Sequence, residues 1–384
     1  MTADDYTDDL PSNGDAETAE GLWQGRVRDK VADMRATQEA RRVLAAEGSK
    51  VAALPTMTNL TARLAAPRVD EQWRIRGLWP TGGRVNLAAV YKAGKTTLVG
   101  NLVRSLLDGT PFLDEFDVEA LPERDGPSIV VFDFEMTENQ LLDWYESIGI
   151  GHTDGAEILP LRGHAGAFDF LTPTVRDQLV ERYAGAHTYV LDPAGPVLAA
   201  LGLDENSNTD VQRFLSTWDQ FVMELGGRES FVTVHAGHNG DRARGASAFL
   251  GSGDAIWTMT RQGDNADDPR FLKAIGRGVD LPERSLELDK RTNRLSLGTT
   301  TRAEARTAER AEAAFPYVLA ALEKYGPGTV DELWDKVHRF HNKGMNDHWE
   351  VTRAPFRAAA PLMAKRGQLK TTQLVPRGTR YSLP

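Results

Sequence analysis

Over the middle of the chain, apolar positions fall into two alternating patterns. Short, nearly continuous apolar runs read as buried strands: Arg84-Val-Asn-Leu-Ala88, Ser128-Ile-Val-Val-Phe-Asp-Phe134, Thr188-Tyr-Val-Leu191, Phe231-Val-Thr-Val-His235 and Ala255-Ile-Trp-Thr-Met259. Between them, residues 98–107, 137–148 and 209–225 read as helices, with Thr137 as a cap. Phe271-Leu-Lys-Ala-Ile275 and Ser285-Leu-Glu-Leu288 look like later, antiparallel strands. Strands alternating with helices predict an α/β fold built on a mostly parallel sheet.

The flanks differ. Residues 23–47 read as one helix with a narrow stripe of Val27, Val31, Met34, Val43 and Leu44, stopped by Gly48. Residues 49–75 look irregular, and Pro80-Thr-Gly-Gly83 reads as a turn. After the sheet, residues 302–313 are expected to be a helical linker. Residues 314–325 predict a helix closed by Gly326-Pro-Gly328. A second helix spans 329–340, with Thr329 and Glu332 at capping-box distance. A third covers 346–365, and residues 368–383 form a hairpin. Three helices and a hairpin predict a small C-terminal winged-helix domain. The expected divisions are 1–22, 23–75, 76–300, 301–313 and 314–384.

Composition narrows the class. The chain has 384 residues and ordinary hydrophobic content, and no apolar run approaches the ~20 residues of a membrane span. Met1-Thr-Ala-Asp-Asp-Tyr6 lacks the basic and apolar regions of a signal peptide. With no cysteine, thiolate metal sites and disulfides are excluded, and a cytoplasmic location is expected. The net charge of −10 hides an asymmetry. Asp4, Asp5, Asp8, Asp9, Asp15, Glu17 and Glu20 make an acidic, disordered-type start. Residues 351–384 carry Arg353, Arg357, Lys365, Arg366, Lys370, Arg377 and Arg380 and no acid. That end reads either as a solvated surface or as one that contacts phosphates.

The candidate chemistry begins at Ala89-Val-Tyr91-Lys92-Ala93-Gly94-Lys95-Thr96-Thr97, between a strand and a helix. This is the context of a phosphate-binding loop: backbone N–H groups hold phosphate, Lys95 reaches the β- and γ-phosphates of ATP, and Thr96 ligates Mg²⁺. Ala89 stands where the usual pattern has its first glycine, and alanine forbids some geometry with φ > 0. Asp192 ends an apolar strand, as a second Mg²⁺ anchor does. Glu135 ends another strand just before a helix, placed to act as general base on water; the alternative is a solvated helix-start glutamate favoured by the helix dipole.

Phe134-Glu135-Met136-Thr137, Val190-Leu-Asp-Pro-Ala-Gly-Pro196, Val234-His-Ala-Gly-His238 and Arg242-Ala-Arg-Gly-Ala-Ser-Ala248 together resemble the RecA-like ATPases of the hexameric DnaB/RepA helicase type, in their AAA_25-like actinobacterial and phage form. The resemblance covers roughly residues 70–298. It implies a RecA-like P-loop core with Glu135 as the catalytic carboxylate and His235 as a γ-phosphate sensor. It further implies Arg277 as an arginine finger serving a neighbouring subunit, and Arg242 and Arg244 in a DNA-gripping channel loop. Arg353, Arg357 and Arg377 would then contact DNA from the winged helix. The expected activity is that of a ring-forming homo-oligomeric (hexameric) DNA helicase acting on single-stranded DNA, with duplex DNA as a second candidate partner and no membrane partner. An ATP-switched DNA-binding initiator or regulator, and a recombinase-like filament former, are the alternatives.

Overall fold

The computed structural model describes residues 25–28, 30–32, 36, 59–66, 72–236, 247–263, 265, 267–341, 351–375 and 377–384, with backbone alone at 338–341. Contacts divide the chain into two units, Met1–Arg68 and Val69–Pro384. In the first, residues 25–28, 30–32 and 36 are helical, as the sequence predicts, and Val27 and Val31 are exposed. Met34, Val43, Leu44 and the acidic start lie outside the described residues. Helix α1 (Leu60–Ala65) is capped by Asn59, whose side chain accepts from the Thr61 amide, and buries none of its residues.

The second unit is organised by a nine-stranded sheet. Its strands are β3 (Arg84–Ala89), β4 (Ile129–Asp133), β5 (Ala156–Pro160), β6 (Thr188–Asp192), β7 (Glu229–His235), β8 (Ala255–Arg261), β9 (Arg270–Gly276), β10 (Asp280–Asp289) and β11 (Arg294–Leu297). Across the sheet they run β11-β10-β9-β8-β3-β7-β6-β4-β5. Strands β3 to β8 pair in parallel, and β9, β10 and β11 extend the sheet antiparallel. The carboxyl ends of β3, β4, β6 and β7 therefore share one edge, where α/β sheets bind their ligands.

Both faces of the sheet are covered, which is why its strands read as continuous apolar runs. Val85, Leu87, Ile129, Val131, Val190 and Trp257 face one core, beneath α2 (Lys95–Asp108) and α3 (Glu138–Ile148). Ala88, Val130, Phe132, Tyr189, Leu191 and Val232 face the other. There they pack with Phe168, Phe170 and residues of α5 (Ala194–Ala200) and α6 (Asn208–Glu224), while α4 (Pro173–Tyr183) contributes only half-buried residues. Phe170 stacks on Phe221 at 5.5 Å. A one-residue step along any central strand thus exchanges one core for the other.

The segment before the P-loop strand departs from the irregular reading. Trp73–Ile75 (β1) and Trp79–Pro80 (β2) pair as a short hairpin, and Ile75, Leu78 and Trp79 are fully buried. Arg74, the middle residue of β1, bonds Glu229 at 2.9 Å, with both side chains almost wholly buried. The Gly82 amide and the Thr188 hydroxyl also donate to Glu229, so the buried carboxylate is well solvated by the fold. Proximity to the Trp-rich core, rather than periodicity, orders these residues.

A second correction concerns 302–313. The expected helix forms, as α8 (Arg302–Ala313), and it does more than connect: its Ala311 is buried in a third core with Val318, Leu333, Phe356 and Met363. Around that core stand α9 (Phe315–Tyr325), α10 (Val330–His341) and α11 (Arg353–Lys365). Strands β12 (Lys370–Gln373) and β13 (Thr379–Ser382) form the expected hairpin. Gly328 and Tyr381 exchange backbone bonds and fasten it to the turn before α10. Thr329 and Glu332 close the predicted capping box. Helices followed by a small antiparallel sheet are compatible with a winged helix. The third predicted helix begins at Arg353 instead of 346, and residues 342–350 lie outside the described residues. A short helix α7 (Ala248–Gly251) precedes β8. No helix among the described residues is long and apolar enough to cross a membrane.

Candidate functional site

A strand, a turn and a helix stand where the sequence predicts the phosphate loop. Strand β3 ends at Ala89, and α2 starts at Lys95. Ala89 is fully buried in extended strand backbone, so the absent glycine strains nothing. The left-handed positions are Lys92 (φ 58) and Gly94 (φ 102). At Gly94 the positive φ would strain any side chain, although its Cβ would meet Met259 only at contact distance, 3.4 Å. No side chain caps the start of α2, and no acid lies in its first turn. Its leading amides and positive dipole end are therefore presented to an anion. Ala93, Lys95 and Thr97 are buried, Thr96 is half-buried, and Tyr91 and Lys92 are exposed. The Lys92 ammonium sits 5.2 Å from the centre of the Tyr91 ring.

Three strand ends converge on Lys95. Its Nζ lies 2.9 Å from His235 Nδ1, at the end of β7. The other ring nitrogen, Nε2, lies 3.3 Å from Glu135 Oε1, just beyond β4. An ammonium can only donate, so Nδ1 accepts and Nε2–H donates to Glu135. One imidazole thus links the P-loop lysine to the candidate base. The hydrogen bond from His235, helped by the Lys95 charge, holds the Glu135 carboxyl below its ordinary range and ionised at neutral pH. Burial lowers Lys95, and Asp192 and Glu135 oppose that shift.

Asp192 is buried at the end of β6, beside Asp133 in β4 register, and accepts from the Thr233 hydroxyl. Burial and the Asp133 charge push it up to about 7. Asp133 is the site residue that motif reading passed over. Its Oδ1 accepts from the amides of Glu135 (2.9 Å) and Met136 (2.7 Å), so it shapes the turn that aims Glu135. The signal was present, as a second acid two residues before Glu135 in a run otherwise apolar. Tyr145 of α3 is half-buried above the pair, and burial with both aspartates raises its phenol.

Thr96 and Asp192 supply oxygen donors only. Among the described residues no cluster of three or more acids or histidines gathers to hold a metal by itself. One carboxylate and one hydroxyl, completed by phosphate oxygens and water, suit Mg²⁺. Asp192's raised carboxyl fits too, because a divalent cation stabilises the ionised form that burial disfavours.

The remaining predicted residues lie elsewhere. Arg277 is exposed just past β9, bonded through its amide to the Asp254 carbonyl. Gly276 pairs with Ala255, at the start of β8, so Arg277 is at the sheet edge opposite its own P-loop. Arg242 and Arg244 lie outside the described residues. Arg377 is exposed at the hairpin turn. Arg353 and Arg357 are not an unopposed basic stripe, since both bond Asp331 of α10, at 3.3 and 3.1 Å. Arg366 pairs with Glu312 of α8. The acids come from neighbouring helices, which a count within residues 351–384 does not see.

Known proteins place this site. The model of the AAA domain family (AAA_25) matches residues 49–241. No curated protein sequence matches the chain. Among solved structures, a KaiC-like protein from the hyperthermophilic archaeon Pyrococcus horikoshii is similar, at 16% identity and a TM-score of 0.41. The match covers 58% of this chain and 93% of that one. With half of its length matched, the chain belongs to the AAA domain family, as a P-loop ATPase.

Proposed function

We propose that this ATPase is a DNA translocase of the RepA/DnaB helicase kind, working as a homo-oligomeric ring with ATP bound between subunits. The observation that carries the shared site is Arg277. It is exposed at the edge opposite its own P-loop, so a phosphate it reaches belongs to another copy. Within one subunit, Lys95 leaves His235 for the β- and γ-phosphates. Glu135 takes the proton of the attacking water, and the imidazole, released from Lys95, turns its Nε2–H to the γ-phosphate. Mg²⁺ held by Thr96 and Asp192 would offset phosphate charge as it develops.

The test combines strand displacement with particle symmetry under an ATP analogue. Unwinding by closed rings, with turnover stimulated by single-stranded DNA, is expected. Filaments, or unchanged turnover with no unwinding, would overturn the proposal. A second reading draws on the His235 bridge: because it holds Lys95 and Glu135 together, nucleotide binding alone rearranges three side chains. That suits an ATP-switched DNA-binding initiator or regulator, for which site-specific duplex binding without unwinding is the signature.

A further inference from the structure

The catalytic side chains all lie on one flank of the P-loop. Asp192, Glu135 and His235 end β6, β4 and β7, on one side of β3; β8 and β9 lie on the other. On that second flank, Arg261 ends β8 and Arg270 begins β9, directly opposite one another in register. Cross-strand partners share a face, and theirs is that of Met259 and Leu272, two and two residues inward, which pack in the core beneath α2. The two guanidinium groups therefore continue an apolar stripe past the sheet edge, toward the start of α2.

Their contacts reach the P-loop itself. Arg261 donates to the Lys92 carbonyl at 3.4 Å and to the Gly263 carbonyl at 2.7 Å. Lys92 holds its left-handed backbone beside that contact. Arg270 Nε lies 3.7 Å from the point where a Cβ on Gly94 would stand, with Thr97 Oγ1 at 3.6 Å from the same point. Like charges directly opposite in an antiparallel pair repel. Burial and the charge of Arg261 push the Arg270 guanidinium below its usual range, against the pull of Asp267 and Asp268. An anion between the pair and the P-loop relieves that repulsion.

The polarity of the site says which anion. The γ-phosphate lies toward Glu135 and His235. Amides at the start of a P-loop helix cradle the α- and β-phosphates, and Thr97 is buried in that first turn. We propose that Arg270 binds the α-phosphate of the nucleotide held by its own subunit, while Arg261 braces the Lys92 turn of the loop. This rests on the ATPase reading and adds a nucleotide-binding residue that the P-loop motif does not contain. Arg270 thereby anchors the nucleoside end of the ligand and leaves the reacting end to Lys95 and Glu135.

Equilibrium binding of Mg-ATP and Mg-ADP to wild type, Arg270→Ala and Arg270→Lys tests it, together with kcat and KM. A charged hydrogen bond to phosphate predicts about tenfold weaker binding of ATP and ADP alike in Arg270→Ala. Arg270→Lys should recover part of that loss, and the kinetic loss in Arg270→Ala should fall mainly on KM. Loss for ATP alone would place Arg270 at the γ-phosphate and overturn the assignment. So would unaltered affinity, or weaker binding that tracks a fall in the melting temperature of the nucleotide-free protein in both variants. Wild type that binds neither nucleotide would instead sink the ATPase reading.

Discussion

Two groups of arginines in this molecule look alike in the sequence and differ in the fold. Arg353 and Arg357, one helical turn apart on α11, share the carboxylate of Asp331 at the surface. Arg261 and Arg270, nine residues apart on two strands, face each other beside the P-loop. The first pair sits in a stretch free of acids and nevertheless shares one carboxylate from a neighbouring helix. The second lies near Asp267 and Asp268 in sequence, yet it is brought together beside the P-loop. Local charge counting sees neither arrangement, because strand register and helix packing decide which charges meet.

The largest effect should come from the phosphate edge. Lys95→Ala removes the β,γ-phosphate contact and is expected to cut turnover more than about 100-fold; steady-state phosphate release measures it. If Lys95→Ala retained wild-type turnover, the convergence of strand ends on this lysine would have no catalytic meaning.

Next comes pH. Asp192 has a folded value of about 7, against about 3.9 in an unfolded chain. Between these values the folded state keeps a proton that the unfolded state releases, so stability falls as pH rises from about 4 to about 7. Thermal melts of the nucleotide- and metal-free protein at both ends should show a loss on the order of a few kcal/mol that Asp192→Asn diminishes. Identical pH dependence in the two proteins would refute this origin.

On the C-terminal side the expected effects are small. Exposed ion pairs are worth about 0–1 kcal/mol, so Asp331→Ala should barely move the melting temperature. If Arg353 and Arg357 are spent on Asp331, their joint replacement by alanine should weaken DNA binding less than about threefold and leave its salt slope unchanged. A slope reduced by about 2 would restore them as phosphate contacts and erase the contrast between the two arginine groups. Smallest of all, Ala89→Gly should change ATP affinity less than about twofold, because Ala89 already has ordinary strand geometry; isothermal titration would check it.

Much of the core was legible because its signals are local. Buried strands of four or more apolar residues, the Gly94-Lys95-Thr96 turn and the Thr137 and Thr329 caps each depend on residues close in sequence. Glu135 and Asp192 were legible as acids ending such strands. What escaped depends on partners far away in the chain. Arg74 is ordered by Glu229, and α8 by the core around Phe356. Asp133 shapes a turn through its side chain, which no periodicity announces. Ala89 fits without strain because the turn's left-handed residues come later, at Lys92 and Gly94.

Glu135→Gln tests the central claim most directly, with ATP binding and turnover measured on the same preparation. The amide keeps the size of the side chain and loses its basicity. Binding within about threefold of wild type with turnover reduced about 100-fold or more is expected of a general base. Turnover at the wild-type rate would contradict the assignment of Glu135, and with it the reading of this sheet edge as a hydrolytic site.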